Sequence, residues 1–278
     1  MQEKAWSSLR IVAPIVLAFS LAIALTSSAF AASRAASPTL VGPKAYYLAI
    51  GDSLGFGFQP DLDFTHGYAN YFYTDLKNHG VQHYDNLACP GETSSTMING
   101  GCPYPFLRKY LYVGAQLKAA VNYLHKHAGQ VSPVTLDMGA NDLIPDLDSS
   151  TCAVSPNWES DLATLDYNMT HVILPQLVGA LTVNGKVTGD LLLMNYYDPY
   201  QNICPNTLPY IQEINQHLAA DAAGFATLVN VFNPLGGATT PNSNLCNETW
   251  ICSLFKDIHA KDAGYQIMAS AFEQTAGY

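Results

Sequence analysis

The sequence predicts an α/β fold, with helices on both faces of a central, mainly parallel sheet of about five strands. Three observations lead there. Short apolar runs bounded by Gly, Pro, Asn or Asp recur along the chain, longer helix-like stretches separate them, and the order strand then helix holds from Ala45 to the C-terminus.

The first run, residues 46–50 (YYLAI), reads as a buried strand and breaks at Gly51-Asp52-Ser53-Leu54-Gly55, a glycine-bracketed turn that presents side chains rather than packing them. Residues 68–79 carry a helical pattern, and 82–88 form the second strand, ending at Cys89-Pro90-Gly91. Residues 115–127 are the next helix and 134–138 the third strand, followed by Gly139-Ala140-Asn141-Asp142. The stretch 158–181 reads as a helix that Pro175 kinks or ends, because proline lacks an amide hydrogen and its ring crowds the preceding turn. Strand 190–195, helix 210–223, strand 227–232 and a terminal helix 263–276 complete the alternation. In such a sheet ligands bind beyond the carboxyl ends of the strands, so the turns just named are where chemistry is expected.

Residues 1–31 have the layout of a signal peptide: basic Lys4 and Arg10, an apolar stretch over 11–25, and the small-x-small pattern Ala29-Phe30-Ala31. The apolar stretch is short for a bilayer crossing, so cleavage, export and no stable membrane anchor are expected. Residues 32–44 are then a polar leader, and 45–278 one domain, since a chain of 278 residues with 49% hydrophobic content needs no second core. With 22 acidic residues against 12 basic ones and no basic cluster, the net charge is −10. Such a chain offers little to a phosphate backbone, which argues against a nucleic-acid partner.

The 6 cysteines, Cys89, Cys102, Cys152, Cys204, Cys246 and Cys252, all follow the leader. An even number in an exported chain points to disulfides. Pairing of sequence neighbours (89 with 102, 152 with 204, 246 with 252) is the expectation among several connectivities. No Cys-x-x-Cys spacing marks a zinc or redox site, and His125 and His127, two apart on a helix, face different ways. Neither a metal nor an organic cofactor is expected.

Read literally, residues 51–55 satisfy G-x-S-x-G, the nucleophile elbow of α/β-hydrolases. That elbow follows earlier strands and an upstream oxyanion loop, whereas only a leader precedes this one. The later turns fit another pattern. Gly-Asp-Ser-Leu after the first strand, Gly91 after the second, Gly-Ala-Asn-Asp after the third and a late Asp257-Ile258-His259 resemble, in order and spacing, the four signature blocks of the SGNH or GDSL hydrolase family. The resemblance spans about residues 46–271.

It implies a flavodoxin-like three-layer α/β/α sandwich, the SGNH hydrolase fold, and ester-cleaving chemistry. Carried onto these positions, Ser53 attacks the ester carbonyl and His259 is its general base. The backbone amides of Ser53 and Gly91 and the side-chain amide of Asn141 hold the oxyanion. The residue types suit those roles, because glycine lets the backbone approach a substrate and an Asn amide donates hydrogen bonds without carrying charge. One departure stands out: the family's last block is usually Asp-x-x-His, and here Lys256 occupies the acidic position. Asp257 is the leading candidate for the acid that orients the imidazole; a backbone carbonyl within 250–252 and Asp262 are the other two.

Three long connections, 144–157, 196–209 and 233–250, are expected to shape a pocket or lid. The resulting expectation is a secreted serine ester hydrolase of carboxylesterase or lipase type, acting on small-molecule, lipid or acylated-carbohydrate esters. Acyl transfer, polysaccharide deacetylation and a non-catalytic carbohydrate- or lipid-binding module are its alternatives on the same scaffold.

Overall fold

A computed structural model describes residues 38–278; the expected signal peptide and the first half of the leader lie outside the described residues. The chain enters strand β1 (Tyr46–Gly51), passes a single helical turn α1 (Ser53–Phe56) and helix α2 (Tyr68–Leu76), and returns to the sheet as β2 (His83–Asn86). Helices α3 (Ser94–Asn99) and α4 (Gln116–Lys126) lead to β3 (Val131–Asp137). After the turn α5 (Ala140–Leu143) and a small hairpin, β4 (Leu147–Asp148) with β5 (Ala153–Val154), come α6 (Trp158–Asn168) and α7 (Leu174–Leu181). A second hairpin, β6 (Thr182–Val183) with β7 (Lys186–Val187), precedes β8 (Leu191–Met194). The chain finishes with α8 (Leu208–Asp221), β9 (Thr227–Val229), α9 (Leu245–Glu248) and α10 (Asp262–Ala276).

The central sheet is parallel and runs in the order β2-β1-β3-β8-β9. Every residue of β3 and β8 is buried, as central strands covered on both faces must be. On one face α2 packs against α10: Tyr68 stacks on Phe272 with ring centroids 4.7 Å apart, and Phe72 meets Tyr47 of β1 edge to face. Right-handed crossovers put α4, α6, α7 and α8 on the other face. After β2 the chain turns back past β1 to β3, which makes the carboxyl ends of β1 and β3 the point where the winding reverses. That is where a crevice for ligands opens in sheets of this kind.

Three local features depart from the periodicity of the sequence. Pro175 does not end the stretch 158–181: a π turn over Met169–Ile173 lies immediately before α7, and that wider turn accommodates the ring where a regular one would clash. Strand β9 stops at Val229 because the Asn195 side chain takes over the pairing, its Oδ1 accepting Val231 N at 2.7 Å and Phe232 N at 3.1 Å. Helix α3, too short to show a period, is set by its ends. Thr93 Oγ1 accepts Thr96 N at 3.1 Å while Thr96 Oγ1 accepts Thr93 N at 2.9 Å.

The end of the leader is tied to the sheet, Val41 N and Gly42 N donating to the Asp190 carboxylate at 2.7 and 3.0 Å. The cysteines pair as Cys89–Cys102, Cys152–Cys204 and Cys246–Cys252. Among the described residues no helix is long and apolar enough to cross a membrane.

Candidate active site

Gly51 closes β1 at φ +133°, where side chains are rarely tolerated, and a Cβ there would run into Asp137. The chain can therefore turn at once into α1, capped by Asp52, whose Oδ1 accepts Leu54 N at 2.8 Å. Ser53 is the first residue of that turn, so its amide has no acceptor within the helix. Beneath it lies Asp137, the last residue of β3 and fully buried. Its Oδ2 accepts Asp52 N at 3.1 Å and Gly55 N at 2.9 Å, and its Oδ1 accepts the Tyr68 hydroxyl at 2.7 Å. Burial lifts both carboxyls, and Asp52 is pushed well above the usual carboxylate range because Asp137 sits beside it. Three donors directed at Asp137 oppose that rise.

Ser53 Oγ lies 2.7 Å from His259 Nε2, and His259 Nδ1 lies 2.6 Å from Asp257 Oδ1. The same Asp257 oxygen accepts His259 N at 2.9 Å. Of the three acceptors open in the sequence, Asp257 is the one placed on the ring. Asp262 instead accepts the Gln59 side-chain amide at 2.8 Å, and Trp250 meets His259 through its N–H, which donates to the His259 carbonyl at 2.9 Å. The short acid-to-histidine spacing is accompanied by a left-handed Lys256, φ +48°, which turns the chain just ahead of Asp257. Burial raises the Asp257 pKa, but the bonds from the His259 ring and amide outweigh it and hold the carboxyl below its ordinary value. The segment is braced from behind by the Tyr197 hydroxyl, which donates to the Ile258 carbonyl at 2.5 Å, and by bridge pairing of Thr249 with Ala260.

Gly91 adopts φ +79° in the loop that the Cys89–Cys102 disulfide closes. Among the described residues no protein group accepts from the amides of Ser53 or Gly91. Asn141 Nδ2 donates one hydrogen to the Glu92 carbonyl at 3.0 Å, which leaves its second hydrogen available. Its neighbour Asp142 braces the loop, accepting Ser94 N at 2.9 Å and Ser94 Oγ at 2.6 Å.

Ser53, Gly91, Asn141, Asp257 and His259 all line one cavity of about 690 Å³. Its remaining wall is largely apolar, with Phe58, Leu62, Phe64, Phe106, Leu107 and Ile144 prominent. Tyr196 and Tyr197 of the second long connection also line it, whereas Trp250 is not among its lining residues and its indole N–H is directed at Gln59 Oε1, 3.2 Å away. Elsewhere, Asp63, His66 and Asp262 approach within ligand distance of one another, but the His66 ring is engaged by Asp63 at 2.5 Å and Asp262 by Gln59. Sequence reasoning passed over Asp137 and Tyr197. Asp137 left a signal, an acid at the end of a strand buried on both faces, while Tyr197 left only its place in the second long connection, whose tyrosines are candidates to line a pocket.

A family model described as GDSL-like Lipase/Acylhydrolase family matches residues 49–267. Among curated proteins, none matches this chain. Among solved structures the chain is similar to the lipase Lip_vut3 from a goat rumen metagenome, at 18% identity and TM-score 0.57, over 86% of this chain and 98% of that one. It is also similar to Axe2, an acetylxylan esterase from Geobacillus stearothermophilus, at 16% identity and TM-score 0.51, over 86% and 97% of the respective chains. At these identities the likeness is one of fold.

Proposed function

Because the chain belongs to the GDSL-like lipase/acylhydrolase family, we propose that it is an exported serine ester hydrolase working through an acyl-enzyme on Ser53. The observation that carries this reading is the run of short contacts from Asp257 through His259 to Ser53, opening into an apolar cavity. His259 Nε2 takes the proton of Ser53 Oγ as that oxygen bonds to the ester carbonyl carbon. The carbonyl oxygen, now negative, is met by Ser53 N, Gly91 N and the free hydrogen of Asn141 Nδ2. The imidazolium, steadied by Asp257, then gives its proton to the departing alkoxide. Water activated by the same nitrogen releases the acid and restores Ser53. Export rests on the layout of residues 1–31 and on three disulfides, which persist in oxidising compartments.

The apolar wall favours esters whose acyl part is longer than acetyl. Each buried methylene contributes about 0.8 kcal/mol, so p-nitrophenyl butyrate is expected to exceed the acetate in kcat/KM by roughly 15-fold. The test is a chain-length series of p-nitrophenyl esters with the mature oxidised protein beside Ser53→Ala. Turnover that disappears in the variant and rises with chain length supports the reading. Turnover that survives in Ser53→Ala removes the nucleophile, and none in either protein points to a binding module.

A further inference from the structure

The first residue of α4, Gln116, is completely buried, lies in none of the signature blocks and touches two of the segments that carry the site. Its Oε1 accepts Gly51 N at 2.7 Å, and its Nε2 donates to Gly51 O at 2.9 Å, so it engages both polar groups of the residue two before Ser53. The same Nε2 donates to Glu92 Oε2 at 2.9 Å. Glu92 is itself buried and follows Gly91 directly, and its carbonyl is the acceptor that holds Asn141 Nδ2 at 3.0 Å. One side chain thus joins the end of β1 to the Gly91 loop, and through Glu92 reaches Asn141.

We propose that Gln116 is a positioning residue that sets the mutual spacing of the three oxyanion donors, acting through Gly51 and Glu92; this rests on the reading of Ser53, Gly91 and Asn141 as those donors. The physical need is specific. Donors stabilise the transition state only when all of them converge on the position the oxyanion will occupy, and here they come from three separate loops. A buried amide with its acceptor and both donor hydrogens engaged is a rigid spacer between two of those loops. A polar group so placed would be costly to bury if it did nothing, since an aliphatic residue of the same size fills the volume without a desolvation penalty.

The test compares Gln116→Met, Asn141→Ala and the double variant on p-nitrophenyl butyrate, with far-UV circular dichroism and melting curves as a check on folding. Gln116→Met is expected to lower kcat 10- to 100-fold with KM within threefold, and to weaken a trifluoromethyl ketone, which needs the oxyanion site, by a similar factor. The double variant is expected to lose clearly less than the product of the two single losses, because the stabilisation each change removes overlaps with the other's. Losses that multiply, or a folded Gln116→Met with wild-type kcat, overturn the proposal. If Asn141→Ala itself costs less than twofold, the oxyanion assignment fails first and takes this inference with it. If Gln116→Met does not fold, the pair Glu92→Gln and Glu92→Leu decides. Glu92→Gln keeps an acceptor for the Gln116 amide and should retain at least ten times the kcat of Glu92→Leu, and equal values overturn the proposal.

Discussion

Replacing Asp257 by alanine is the perturbation that bears most directly on the displaced acid. Its carboxylate meets His259 Nδ1 at 2.6 Å, and at an effective dielectric of about 20 two unit charges with centres ~4 Å apart interact by about 4 kcal/mol. The Asp257 side chain is 24% exposed, so solvent screens part of this, and about 2–3 kcal/mol remains as stabilisation of the imidazolium formed in the transition state. That corresponds to a loss of roughly 30- to 200-fold in kcat, with KM changed little because the interaction gains this strength only as charge develops on the ring in the transition state. The assay is steady-state hydrolysis of p-nitrophenyl butyrate at constant ionic strength, with Asp262→Asn run in parallel. Asp262 bonds to Gln59 rather than to the ring, so its variant should stay within about twofold of the wild type. A kcat for Asp257→Ala within fivefold of the wild type, or a larger fall in Asp262→Asn, would refute the assignment.

Two further outcomes follow from the same geometry. Asn141→Ala removes one of the proposed oxyanion donors and is expected to lower kcat by about 100- to 1,000-fold with intact folding, read from single-turnover acylation of Ser53. Lys109 donates to the carbonyls of Phe56 and Phe64 at 2.6 and 2.5 Å, and partial burial pulls its pKa from 10.5 down to about 8. Between those values the unfolded chain holds a proton that the folded one has lost, so stability rises with pH over that window. Much of this lysine is exposed, and screening limits the gain to about 1 kcal/mol. Urea midpoints at pH 7.5 and 9.5 should show a rise in the wild type that is smaller in Lys109→Met.

The parts of the site that were legible in the sequence are those written in consecutive residues. Gly51 to Ser53, Gly91 and Gly139 to Asn141 each form a turn at a strand end, and turn chemistry is local enough to survive as a motif. The alternation of apolar runs marks the sheet for the same reason, although the 227–232 run is three residues longer than β9 because its terminator, Asn195, follows the end of β8 far earlier in the chain. What escaped notice depends on partners far along the chain. Asp137 holds Asp52 and Gly55 across 85 and 82 positions, and Gln116 reaches Gly51 across 65, separations that no periodicity reports. The π turn before Pro175 escaped as well, since proline in a helical pattern signals a break and says nothing of how a neighbouring turn can absorb it.

Asp257 shows how the proposed machinery accommodates the departure from Asp-x-x-His. Asp257 is two residues ahead of the histidine, and its Oδ1 accepts both the His259 ring nitrogen at 2.6 Å and the His259 backbone amide at 2.9 Å. The second of these bonds is an Asx turn, so one carboxylate oxygen fixes the backbone of His259 and the tautomer of its ring together. Such a unit is complete within three residues and needs from the rest of the fold only a correct position. That position comes from the Trp250 N–H on the His259 carbonyl and the Tyr197 hydroxyl on the Ile258 carbonyl. The left-handed Lys256 is the local strain that this arrangement requires, and it falls on an exposed residue outside the chemistry, where it costs about 1–2 kcal/mol and leaves the barrier untouched.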